Sequence, residues 1–100
     1  MSGNCLRVAV GSPWLDTVDQ EHIPLRVWNS CDSEVSVELE ALTPQGSLLQ
    51  KVSLKVPGSA AREVEVVTEL YLQKVLIRAK WRKNEGEEWQ EMEEIEVTLR

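Results

Sequence analysis

The stretch Gln73-Lys-Val-Leu-Ile-Arg-Ala-Lys-Trp-Arg-Lys-Asn-Glu-Gly-Glu-Glu-Trp-Gln-Glu-Met-Glu-Glu-Ile-Glu-Val-Thr-Leu-Arg100 decides the fold. In its first limb Val75, Ile77, Ala79 and Trp81 alternate with Arg78, Lys80 and Arg82. In its last limb Ile95, Val97 and Leu99 alternate with Glu94, Glu96 and Thr98. A period of two sends successive side chains to opposite faces, so each limb reads as a strand with one buried face. Lys83-Asn-Glu-Gly-Glu87 supplies turn chemistry between them. The outward rows are cationic on one limb and anionic on the other, which favours pairing them as a hairpin. Trp89, Glu91 and Glu93 share a parity with Ile95 and cannot all face a core. A slip at Glu93 and Glu94 turns Met92 inward and predicts a β-bulge, which would re-aim Trp89.

The same period runs outward from this hairpin. Glu34–Leu42 is the cleanest strand, with Val35, Val37, Leu39 and Ala41 against Ser36, Glu38 and Glu40. Thr43-Pro-Gln-Gly46 has Pro second and Gly fourth, the preferences of a type I turn. Leu48–Val56 follows, with Val52, Leu54 and Val56 inward. A hairpin about Gln45 and Gly46 sets Glu40 opposite Lys51 and Leu42 opposite Leu49. Opposed charges across strands contribute ~0.2–1 kcal/mol each. Pro57-Gly-Ser59 breaks the chain again, and Arg62–Val67 is a short strand with Val64 and Val66 inward. Leu70 and Leu72 either continue into the sheet or plug the bottom of the sandwich.

Toward the N-terminus, Cys5–Val10 alternates weakly and reads as an edge strand ended by Gly11-Ser-Pro13. Trp14–Glu21 has no clean period and reads as a loop. Glu21–Asn29 is a strand with Ile23, Leu25 and Val27 inward and His22, Pro24, Arg26 and Trp28 outward. Pro24 lacks the donor a ladder needs, so it fits best where that donor would face solvent or a bulge.

About seven strands at 8–14-residue spacing, separated by Pro, Gly, Asn and Ser, give an all-β, Ig-like antiparallel β-sandwich in a single domain, 1–100. The expected core is Val35, Val37, Leu39, Val52, Leu54, Val64, Val75, Ile77, Trp81, Ile95 and Val97. The pattern resembles the immunoglobulin-like and fibronectin-III-like sandwich modules. The resemblance rests on Leu25-Arg-Val-Trp28, Val35-Ser-Val-Glu-Leu39, Val64-Glu-Val66, Val75-Leu-Ile-Arg-Ala79 and Ile95-Glu-Val-Thr-Leu99. It implies the architecture alone. Antibody-type domains carry a cysteine pair joining the second and sixth strands and a tryptophan on the third. Here Val75–Trp81 has no cysteine and Val35–Leu42 no tryptophan. The tyrosine such folds place near the sixth strand would be Tyr71, earlier than usual.

One hundred residues bury roughly 65% of their unfolded surface, enough for one core without a metal or a disulfide framework. With 42% hydrophobic and 28% charged residues, the chain is neither disordered nor collagen-like. Phe is absent, so β-branched residues, Leu and Trp fill the interior. The net charge of -6 disfavours a nucleic-acid partner, which needs a basic face. Cys5 and Cys31 would fall within a residue or two of each other if the first two strands pair. With no secretory signal in view the expectation is two free thiols in a reducing, cytoplasmic setting, or an excised domain of a larger or exported protein. No segment approaches the ~18 apolar residues of a membrane span.

Catalytic chemistry is not visible. There is one histidine, so no His-based metal cluster, and His22 reads as an ordinary surface residue. The cysteines lack Cys-x-x-Cys spacing, and no phosphate loop, Gly-x-Ser-x-Gly or His-Glu-x-x-His occurs. The expectation is a non-enzyme without cofactor, metal or catalytic residues. Trp81 falls inward, whereas Trp14 lies in a loop, Trp28 points outward and Trp89 follows the last turn. A large rigid aromatic gives much contact area for little lost entropy. Trp14, Trp28, Leu42, Leu49 and Trp89 are therefore the candidate partner-binding residues. The function expected is a protein–protein interaction or structural module, a subunit or appendage of a larger assembly. It would bind another protein or self-associate through a strand edge. The alternative is a carbohydrate- or small-ligand-binding module using exposed Trp.

Overall fold

A computed structural model describes residues 5–68 and 72–99. Its strands are β1 (Leu6–Val10), β2 (Trp14–Leu15), β3 (Glu21–Asn29), β4 (Val35–Leu42), β5 (Leu48–Val56), β6 (Ala60–Thr68), β7 (Lys74–Arg82), β8 (Gln90–Glu91) and β9 (Ile95–Thr98). All pairings are antiparallel, in two sheets. In the first, β3 is central, with β6 along one edge and β1 then β2 along the other. In the second, β5, β4 and β7 lie side by side and β8 and β9 share the far edge of β7. Packing these sheets makes an all-β sandwich.

Nine strands stand among the described residues where about seven were expected, because two edges are interrupted. Trp14–Glu21, expected as a loop, holds β2. Between β1 and β2 the pairing on β3 advances by one residue, and the Gly11 N–H donates to the Pro24 carbonyl at 2.8 Å. A paired residue's N–H and C=O point the same way. The donor that Pro24 lacks therefore faces the break between β1 and β2, where a ladder bond is least missed.

The last strand is likewise split at Met92–Glu94, and its register on β7 shifts by one residue between β8 and β9. This is the bulge the parity conflict predicts. Met92 packs against the core, and its N–H donates to the Ala79 carbonyl at 2.9 Å.

The core lies between the sheets. Ile23, Leu25, Val27 and Val66 from the first face Val35, Val37, Leu39, Val56, Val75, Ile77 and Trp81 from the second. Each fully buried Val, Leu or Ile contributes on the order of 1.5–3 kcal/mol. Val52, Leu54, Val64 and Ile95, also expected in the core, are only partly buried and pack against its margin. Leu72 packs against the core too, whereas Leu70 and Tyr71 lie outside the described residues.

Two further expectations fail. Cys5 and Cys31 are joined in a disulfide, their Cα atoms 5.2 Å apart, and are not free thiols. The β1–β3 register sets Leu6 opposite Asn29, which brings the flanking cysteines together. In the β4–β5 hairpin Glu40 does pair with Lys51, but Leu42 pairs with Leu48 and not Leu49. A bulge at Ala41/Leu42 leaves Leu49 as the extra residue and turns it toward the core.

Candidate functional site

The five candidate contact residues do not form one surface. Leu42 is buried, and Leu49 packs partly against the core, so neither serves as an exposed contact. Trp89 lies on the outer face of the second sheet. The Arg82 guanidinium is 4.3 Å and the Lys80 ammonium 5.1 Å from its ring centroid. It walls a 260 Å³ concavity with Glu38, Glu40, Arg78, Lys80 and Glu91. Both cations are already paired, Arg78 with Glu94 at 2.9 Å and Lys80 with Glu38 at 3.4 Å. Glu94 holds the Arg78 guanidinium above its usual range. The paired cations make that face read as a register device between strands.

Trp28 and Trp14 stand at opposite ends of the outer face of the first sheet. Trp28 is flanked across the strands by Arg7 and Ala61, and the Arg26 guanidinium sits 5.1 Å from its ring centroid. Shallow concavities of 440 and 330 Å³ open on either side of it.

The other end is more highly organised. The β2–β3 hairpin starts from the pairs Trp14–His22 and Leu15–Glu21 and closes through the Asp16 N–H donating to the Gln20 carbonyl at 3.0 Å. Within the turn, Asp16 Oδ1 accepts from the N–H groups of Val18 at 2.9 Å and Gln20 at 3.0 Å. A short acidic side chain bonding its own downstream backbone is what lets an aperiodic segment hold one shape. Asp19 takes a left-handed φ of 63°, a conformation Asp tolerates better than most residues.

Asp16 Oδ2 lies 2.6 Å from His22 Nε2, while His22 Nδ1 lies 2.7 Å from Glu65 Oε1 on β6. The Trp14 indole stacks on the imidazole. These contacts shift both groups. The hydrogen bond from His22, then that from the Gln20 N–H, holds the Asp16 carboxyl below its usual range. Asp16 first and Glu65 second raise His22 above the ordinary imidazole value.

This framework presents apolar groups to solvent. Trp14 (48% exposed), Leu15 (42%) and Val18 (70%) fall within five residues, and the fourth exposed large hydrophobic among the described residues is Leu48 (54%) on β5. Of this cluster the sequence reading had only Trp14. Leu15, Val18 and the clamp Asp16–His22–Glu65 lay in a segment without period, or 43 residues apart. The usable signal was the Asp16-x-Val18 turn chemistry beside the lone histidine.

Among the described residues no group of three or more His, Cys, Asp or Glu is placed to hold a metal ion, and no helix is long and apolar enough to cross a membrane. No family model matches the sequence, and no curated protein matches it. A solved structure described as "X-ray structure of Northeast Structural Genomics Consortium target SoR45" is similar in fold. Its TM-score is 0.55 at 10% identity, over 98% of this chain and 89% of that one. At that identity the likeness extends to the fold alone.

Proposed function

We propose that this Ig-like domain is a non-catalytic protein-interaction module whose docking surface is the tip of the β2–β3 hairpin. One observation carries the reading: Trp14, Leu15 and Val18 are held exposed by a turn whose own hydrogen bonds fix its shape. Exposed apolar groups in a mobile loop lose much of their binding energy to ordering, whereas a fixed turn does not. A tryptophan in a rigid setting is the residue type that most often dominates an interface.

The test is recovery of partners from the native source with the tagged chain. Trp14→Ser/Val18→Ser is compared with Trp89→Ser on the opposite face. A protein retained by wild type and Trp89→Ser, and bound at least about tenfold more weakly by the tip variant, is expected. Equal retention by the tip variant overturns the assignment.

A second reading, a carbohydrate- or small-ligand-binding module, is favoured by the concavities beside Trp28. It expects saturable quenching of tryptophan emission on titration with a glycan panel, lost in Trp28→Ala.

A further inference from the structure

His22 sits where three strands meet. It belongs to β3, Asp16 reaches its Nε2 from the hairpin turn, and Glu65 reaches its Nδ1 from β6. Ionised carboxylates only accept hydrogen bonds, so a bond from each ring nitrogen needs an N–H on both. Imidazolium has two and neutral imidazole one. Asp16 and Glu65 are the charged groups facing the ring among the described residues; Arg26, on the same sheet face, is turned to Glu63 at 3.7 Å.

We propose that His22 is a proton-operated latch, clamped between Asp16 of the hairpin turn and Glu65 of β6 when charged and releasing Glu65 when neutral. This rests on the hairpin tip being a docking surface, whose regulation it supplies. The asymmetry between the two carboxylates decides which one leaves. Asp16 is committed to the turn, its Oδ1 held by two backbone N–H groups and its side chain 19% exposed. Glu65 has longer reach, no other hydrogen bond to its carboxylate among the described residues, and a side chain 41% exposed, so water replaces its one partner at little cost. The single remaining N–H therefore stays on Nε2, facing Asp16, and Nδ1 turns a lone pair toward the oxygen that departs.

Two supports are lost together in the neutral state. Glu65 no longer braces the imidazole across the β3–β6 ladder, which itself stays paired, and Trp14 no longer rests on a cation, whose attraction to an indole face exceeds that of a neutral ring. The Trp14 ring is then held less firmly, and docking must supply more ordering. Since both carboxylates raise the proton affinity of His22, the latch is closed below its midpoint and opens as pH rises through it.

The test is a pH titration of the intact chain by imidazole nitrogen NMR. The wild type should show both ring nitrogens protonated on the acid side and a lone Nε2–H tautomer on the alkaline side. Its midpoint should lie above the ordinary value of about 6.5. Glu65→Gln should lower the midpoint and leave the Val18 and Gln20 amide signals in place. Asp16→Asn should lower it and also disturb those amides. His22→Gln should abolish the pH-dependent shift of the Trp14 indole N–H. An alkaline Nδ1–H tautomer, a midpoint unmoved by Glu65→Gln, or a Trp14 titration persisting in His22→Gln overturns the latch. All of these are read without a partner. An inert latch would leave tip docking standing, and a tip that binds nothing would leave the titration standing.

Discussion

The indole of Trp14 lies flat on the imidazole of His22, with ring centroids 3.9 Å apart and planes 11° from parallel. The two residues are a cross-strand pair on an edge strand only two residues long. So short a strand has few ladder bonds, and the stack and the Asp16–His22 contact reinforce them in holding it to the sheet. Aromatic cross-strand pairs are among the stronger stabilisers of antiparallel pairing. Here the pair also sets the direction of the exposed indole.

Stability should follow pH in a way this clamp dictates. His22 binds its proton more tightly folded than unfolded, so its contribution is fully present below the unfolded value near 6.5 and is lost as pH rises through the folded one. Asp16 has the opposite sense. Its contribution is present above the ordinary carboxyl value and is lost as pH falls through the depressed folded one. The wild type should therefore melt highest between these limits and lower on the alkaline side. Thermal melts of wild type and His22→Gln from pH 5 to 9 check this. A variant keeping the wild-type alkaline slope contradicts it.

Ile77 is 1% exposed at the centre of β7. Ile77→Ala should cost ~2–5 kcal/mol by removing buried methylenes from a core that collapses only in part. Val18→Ala, at the exposed tip, should stay within about 0.5 kcal/mol of wild type. Urea midpoints of the two variants, compared directly, test the core assignment. A similar shift in both would remove Ile77 from the core.

Parity made much of the sandwich legible. Ile23, Leu25 and Val27, or Val35, Val37 and Leu39, carry an unbroken alternation, and each set is buried. A bulge is readable only where it forces a contradiction. Three polar or aromatic residues sharing the parity of Ile95 exposed the one at Met92–Glu94. The bulge at Ala41/Leu42 lies beside Leu48 and Leu49, and either leucine satisfies the pattern, so nothing in the sequence chose between them. The candidate site was less legible because its shape comes from side chain to backbone bonds within residues 16–20 and from a contact between strands β3 and β6. Neither leaves a period. The paired cysteines were visible as a geometric option, but pairing depends on a register that only the folded β1–β3 ladder sets.

The disulfide closes a loop of 26 residues between the start of β1 and the turn after β3. Constraining the unfolded chain over that span should contribute about 3 kcal/mol. Cys5→Ser/Cys31→Ser, or the reduced wild type, should unfold at correspondingly lower urea, with the loss shared by both. Free-thiol titration of the native protein should find none. Two reactive thiols and an unchanged midpoint under reductant contradict the pairing.

The end of the sandwich where β3 meets β4 and β5 meets β6 is tied by one buried side chain. Asn29 is 2% exposed. Its two amide N–H groups are shared among the carbonyls of Ser33 at 2.8 Å, Val56 at 3.1 Å and Pro57 at 3.1 Å, and its oxygen accepts from the Cys31 N–H at 2.9 Å. The Ser59 N–H reaches the Cys31 carbonyl at 2.9 Å, which draws the two turns into contact. That closeness leaves no room at Gly58, where a Cβ would stand 2.1 Å from the Asp32 carbonyl oxygen. Gly58→Ala should therefore push the turns apart and cost about 1–3 kcal/mol by overpacking. Gly46, with φ 94° and open space around it, should show only the backbone penalty of a left-handed Ala, about 1–2 kcal/mol. The sharper test is at Asn29 itself. Asn29→Ala leaves buried carbonyls without a donor, at about 1–3 kcal/mol for each left unpaired. Asn29→Asp keeps the volume but points a carboxylate at the same carbonyls, so it should be the worse variant at pH 7. It should recover relative to Asn29→Ala at pH 4, where protonation restores a donor. Chemical denaturation of both variants at the two pH values reads this out. An aspartate variant as stable as wild type at pH 7 would show that the amide donor does not hold the turns together.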